Sequence, residues 1–100
     1  MDETTATRLV VSGRVQGVGY RVWFAREASR RGLKGWVRNR QDGSVEALVA
    51  APAAALEELV LAARRGPPAA AVTDIQFDEG TLRDGEVPDG FEVRPTAWRR

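Results

Sequence analysis

Three glycines and two arginines gather in the run Gly13-Arg14-Val15-Gln16-Gly17-Val18-Gly19-Tyr20-Arg21, between the apolar stretch Leu9-Val10-Val11 and a segment with helical spacing. Bare backbone at Gly13, Gly17 and Gly19 lets amide N–H groups converge on a ligand at such a strand-to-helix turn. The helix that follows turns its positive dipole end toward the same place, which favours a bound anion. Arg21 then sets a full cation in the first helical turn, where a cation is normally disfavoured. A phosphate held between dipole and guanidinium resolves that conflict. The glycine loop and Arg21 are therefore a candidate phosphate site. Taken alone, the loop also satisfies a plain tight turn with a solvated Arg21.

Asn39 is the second candidate. Asparagine is depleted in strands, yet Asn39 closes the strand-like run Gly35-Trp36-Val37-Arg38. Its carboxamide oxygen can accept one hydrogen of a water and fix that water for attack. The competing reading is a turn residue leading into Gln41-Asp42-Gly43, a role asparagine suits. Better-known phosphate motifs do not fit. A P-loop needs Gly, four residues and then Gly-Lys-Ser/Thr, and a dinucleotide fingerprint needs glycine where Val22 stands, within a parallel sheet.

The absence of cysteine and histidine narrows the chemistry further. Disulfides, thiolate nucleophiles, Cys- or His-ligated metals and Ser-His triads are all excluded. Catalysis is left to carboxylates, arginines, amides, hydroxyls and backbone dipoles, and no cofactor or metal is expected. Asp42 precedes Gly43 in a turn and Glu46 sits on an alternating strand, so both read as structural or solvated rather than as a hydrolytic carboxylate pair. Trp23 and Phe24 read as core or core edge, and Trp36 as a half-buried strand aromatic. Arg30-Arg31 suits a helix C-terminus, while Arg14 and Arg38 flank the candidate site, to steer an anion or to face solvent. The net charge of +1, with Lys34 the only lysine, is too small to imply a nucleic-acid or membrane partner.

One hundred residues suit one domain with one core. Thr7 to Ser12 predicts a strand and Tyr20 to Arg31 a helix, with Tyr20, Phe24 and Ala28 at four-residue spacing and Gly32 as its stop. Lys34 to Arg40 and Ser44 to Ala51 predict a hairpin through Gln41-Asp42-Gly43. Pro52 to Arg65 predicts an Ala- and Leu-rich helix closed by Gly66-Pro67-Pro68. Ala71 to Glu79 predicts a strand, Gly80 to Gly90 carries two Asp-Gly turn signals, and Phe91 to Pro95 predicts a short last strand. The order β-α-β-β-α-β with a further β specifies a ferredoxin-like α+β sandwich, an antiparallel sheet with both helices on one face and a short extra C-terminal strand. Residues 1–6 are expected to be a disordered tail, 7–95 the domain and 96–100 a C-terminal tail. In this topology the strand ending at Asn39 is not adjacent to the strand feeding the glycine loop, so sheet twist must bring the two candidates together.

Gly13-Arg14-Val15-Gln16-Gly17-Val18-Gly19-Tyr20-Arg21, followed by Gly35-Trp36-Val37-Arg38-Asn39 and Asp42-Gly43-Ser44-Val45-Glu46, closely resembles the acylphosphatases. The resemblance is strong over Arg8 to Ala51 and weaker at Phe91-Glu92-Val93-Arg94. It implies the ferredoxin-like fold and metal-free hydrolysis of carboxyl-phosphate anhydrides such as acetyl phosphate and carbamoyl phosphate. By that resemblance Arg21 matches the phosphate-binding arginine, Asn39 the asparagine that positions water, and the Gln16–Tyr20 backbone the phosphate cradle. The partner expected is a small-molecule acyl phosphate substrate, with no nucleic acid and no membrane, and the protein is expected to be a monomer. Met1 to Thr7 is polar and acidic, and no apolar run reaches spanning length, so a cytoplasmic location is expected. Two other functions compete. One is a phosphate-binding module, such as a sensor or a domain from a larger carbamoyl-phosphate-handling protein. The other is RNA binding on the same topology, which needs exposed aromatics on the central strands where the first strand offers Leu9, Val10 and Val11.

Overall fold

The computed structural model describes residues 5–79 and 87–96. In order these form β1 (Thr5–Arg14), α1 (Tyr20–Arg30), β2 (Lys34–Asn39), β3 (Val45–Ala51), α2 (Ala53–Arg65), β4 (Ala71–Glu79) and β5 (Phe91–Val93). The sheet order is β4-β1-β3-β2-β5. Alternate residues of the strands send Leu9, Val11, Val37, Val45, Ala47, Val49 and Ile75 to one face, where they meet Phe24 and Ala28 of α1 and Leu59 and Ala63 of α2 in one core. Both helices thus cover one face of the sheet, the ferredoxin-like arrangement. The other face carries a smaller cluster of Ala6, Trp36 and Leu48.

The expected antiparallel sheet is present in β1 to β4, and the short extra C-terminal strand makes the whole mixed. β1, β2, β3 and β4 pair antiparallel, but β5 pairs parallel to β2, with Gly35 opposite Phe91 and Val37 opposite Val93. Strand directions explain this. Alternation across the sheet makes β4 run opposite to β2, so a chain that reverses after β4 and reaches the free edge of β2 must run parallel to it.

β1 is longer than the predicted Thr7 to Ser12 because it finds ladder partners at both ends. Thr5 and Ala6, expected in the tail, pair with Ala51 and Ala50. Gly13 and Arg14 pair with Val72 and Ala71 after a register shift at Ser12/Gly13. β5 stops at Val93, short of Pro95, which has no N–H to give a ladder. The expected tails at 1–4 and 97–100, and the turn signals within 80–86, lie outside the described residues.

Candidate active site

β1 and β2 both pair antiparallel to β3, with Val11 and Asn39 on either side of Val45, so the glycine loop and the end of β2 leave the sheet at one rim. A concavity of about 140 Å³ opens there, lined by Val15, Gly17, Gly19, Tyr20, Arg21, Val22 and Asn39. Gly17 and Gly19 have φ of 76° and 78°, left-handed backbone that side chains other than glycine rarely adopt. Val18 between them keeps a negative φ. Alternation of this kind aims successive N–H groups into one hollow, a nest suited to an anion. Gly19 caps α1 with no side-chain hydrogen bond, and the first turn holds no acidic residue. Among the described residues no protein acceptor takes the N–H groups of residues 16–22. They remain available to a ligand.

Arg21 lies in the first turn of α1, and its Nη1 donates to the Arg94 carbonyl at 3.0 Å. Arg94 is itself keyed to β2, since its N–H donates to the Val37 carbonyl at 2.8 Å. The guanidinium is therefore oriented by the same strand that ends at Asn39. Asn39 pairs with Val45 on β3, and its Oδ1 is buried without a hydrogen-bond partner among the described residues. A buried orphan acceptor is costly, and a water donating to it would remove that cost. This distinguishes Asn39 from an ordinary turn residue, whose side chain would cap its own backbone.

Tyr20 has two parts to play. Its backbone belongs to the loop, while its ring is buried beside Trp23 and Phe24. Its hydroxyl donates to the Ala63 carbonyl at 2.8 Å, and burial raises the phenol well above its ordinary pKa. Ala63 would otherwise be an unpaired carbonyl in the last turn of α2, because the residue four ahead, Pro67, has no N–H. The loop's far end is thereby pinned to α2.

Gln16 is placed differently from its expected backbone role alone. Its side-chain Nε2 donates to the carbonyls of Arg40 at 2.8 Å and Ser44 at 2.9 Å, across the β2–β3 hairpin. Asp42 organises that hairpin, its Oδ1 accepting from the Ser44 N–H at 2.9 Å and from the Ser44 hydroxyl. Those two bonds hold the Asp42 carboxyl below its ordinary pKa, the hydroxyl contributing most. The contacts of Gln16 and of the Arg94 carbonyl had no signal in the sequence, because the groups they meet are backbone atoms that no residue type announces.

Arg38 and Glu46 belong elsewhere. On the open face of the sheet Glu46 accepts from Arg38 Nε at 2.9 Å and pairs with Arg8 Nε at 3.1 Å. Trp36, expected to be half-buried, is only 6% exposed, with the guanidinium carbons of Arg38 and Arg94 at 4.6 and 5.2 Å from its ring centroid. A larger concavity of about 700 Å³ lies over this face, but Arg8, Arg38, Glu46 and Asp78 in its lining already pair with one another. Size alone does not locate the chemistry. Converging unpaired donors and an unpaired acceptor make the smaller cavity the candidate.

The acylphosphatase family model matches residues 7–93. The chain is 63% identical over 91 residues to an acylphosphatase of Acidiphilium cryptum, covering 91% of this chain and 97% of that protein. It is 52% identical over 96 residues to an acylphosphatase of Azoarcus sp., covering 95% of each. The solved structure of acylphosphatase from Bacillus subtilis matches with a TM-score of 0.81 at 43% identity, over 89% of this chain and 97% of that one.

Proposed function

The chain belongs to the acylphosphatase family, and from that premise we propose that Asn39 holds the attacking water while Arg21 and the Gln16–Tyr20 backbone hold the phosphoryl group. As an acylphosphatase it is a hydrolase that cleaves an acyl phosphate to a carboxylate and inorganic phosphate. The observation supporting these roles is the shared cavity, in which the glycine nest, Arg21 and Asn39 meet. By accepting one hydrogen of the water, Asn39 Oδ1 leaves an oxygen lone pair free to face phosphorus. The water oxygen attacks phosphorus in line with the acyl oxygen, and that P–O bond breaks with its electron pair going to the carboxylate. The water's proton passes to a phosphoryl oxygen. A carboxylate is stable enough to leave without a general acid, so a chain without histidine suffices for the step. What the protein supplies is placement and preorganised positive charge, the usual protein share in phosphoryl transfer.

We extend the reading to a monomer that acts in the cytoplasm on a small acyl phosphate without metal, cofactor or nucleic acid. Against RNA, the open-face positions of the central strands carry Arg8, Val10, Glu46 and Leu48, none of them aromatic. Among the described residues no helix is long and apolar enough to cross a membrane.

The test is benzoyl phosphate hydrolysis in heavy-oxygen water, with and without EDTA. Turnover should survive the chelator and place the label in inorganic phosphate. Label in benzoate, or activity abolished by chelation, contradicts the mechanism. Phosphate binding without turnover would point to a sensor.

A further inference from the structure

We infer that the Gln16 side chain is a positioning residue that sets the gap between the phosphate loop and the water-holding Asn39. The inference rests on the roles proposed above for Arg21, the loop and Asn39. β1 delivers the loop and β2 delivers Asn39, but the two strands are not paired, because β3 lies between them. The ladders through β3 place Val11 and Asn39 on either side of Val45, but the β1–β3 ladder ends there, so no ladder bond to β3 ties the loop beyond it to Asn39. Gln16 crosses that space with both hydrogens of one amide. One goes to the carbonyl of Arg40, the residue immediately after Asn39. The other goes to the carbonyl of Ser44, the residue before Val45, which is Asn39's partner across the hairpin. Asn39 is thus bracketed on both sides by groups that Gln16 holds.

The hairpin has its own bonds and does not need Gln16 to form. The Arg40 N–H donates to the Ser44 carbonyl at 2.9 Å and the Gly43 N–H to the Arg40 carbonyl at 3.2 Å. The loop is likewise held at its far end by the Tyr20 hydroxyl and by Arg21 on Arg94. What Gln16 adds is the relation between two parts that are each already formed. Both hydrogens are occupied by carbonyls, so the amide is not itself a phosphate donor. Its loss should shift the water relative to phosphorus while leaving the phosphate cradle in place.

Full-length Gln16→Met and Gln16→Glu test this beside wild type and Asn39→Ala, by kcat and KM for benzoyl phosphate, the inhibition constant of inorganic phosphate, and thermal melting. Methionine keeps the length and removes both donors. It should lower kcat by about tenfold to a hundredfold, the cost of a small misplacement of reacting groups, while the phosphate inhibition constant moves by less than about threefold because ground-state binding is spared. In Gln16→Glu a carboxylate faces two carbonyl oxygens at neutral pH. Protonation restores one donor, so kcat relative to wild type should recover several-fold between about pH 7.5 and about pH 5, and Gln16→Met should show no such recovery. Wild-type kcat in Gln16→Met overturns the inference. So does a loss of phosphate affinity matching the loss of kcat, which would make Gln16 part of the cradle, and so does a flat pH ratio in Gln16→Glu. Wild-type turnover in Asn39→Ala would instead strike the underlying site reading and take this inference with it.

Discussion

Replacing Arg21 by lysine separates charge from geometry. The guanidinium already gives one Nη1 hydrogen to the Arg94 carbonyl at 3.0 Å while lining the cavity beside Asn39. A guanidinium has five donors in a rigid planar fork, so one edge can stay on the carbonyl while others meet a phosphoryl group. An ammonium offers three donors from a single point on a shorter side chain. It must serve either the Arg94 carbonyl or the phosphate, and leaving one preorganised donor unmade costs about 2.7 kcal/mol in the transition state, or about a hundredfold in kcat. Arg21→Ala also removes the charge and should cost about 4 kcal/mol or more, near a thousandfold. Arg21 is only half-buried, so both variants should keep the wild-type fold by circular dichroism. The assay is steady-state loss of benzoyl phosphate absorbance at saturating substrate. Arg21→Lys turning over within about threefold of wild type would show that a point charge suffices, and the fork argument would be wrong.

Tyr20→Phe leaves the Ala63 carbonyl buried without a donor, and urea unfolding should show a loss of about 1–3 kcal/mol. Glu46→Gln leaves Arg8 and Arg38 facing a neutral amide. Because those arginines stay 45% and 33% exposed, the loss in urea unfolding should be about 1–2 kcal/mol, below that of a fully buried pair, with kcat unchanged. Acid should destabilise the fold through Glu27, held below its ordinary pKa first by its hydrogen bond to Arg31 and then by that to Arg30, and through Asp42. A carboxyl with a lowered folded-state pKa contributes stability that is present at neutral pH and is lost as pH falls through the carboxylate range. With no histidine to titrate, urea midpoints should stay level from about pH 7 to about pH 6 and fall below about pH 4. A midpoint that rises on acidification would contradict this.

Where local sequence carries the physics, the structure was readable from it. Tyr20, Phe24 and Ala28 at helical spacing marked the buried stripe of α1. The conflict between Arg21 and the helix dipole, and a strand-ending Asn39, pointed to two residues that line one cavity. Partner-dependent features were hidden. The length of β1 depends on Ala50, Ala51, Ala71 and Val72, residues far away in the chain. The parallel pairing of β5 depends on the summed directions of four other strands. Trp36 is covered by two guanidinium groups, one of them from Arg94, which sequence placed only in a weakly matching segment. The bonds of Gln16 and Arg21 end on carbonyl oxygens, which every residue possesses. Residue type names a donor, and only the fold supplies its acceptor.

Asn39→Ala offers the most direct measurement, made as kcat for benzoyl phosphate together with competitive inhibition by inorganic phosphate. A carboxamide that aims the water and does not hold the phosphate requires kcat to fall by about a hundredfold or more with phosphate inhibition nearly unchanged. Turnover close to wild type in a folded Asn39→Ala protein, or phosphate inhibition lost in step with kcat, would contradict it.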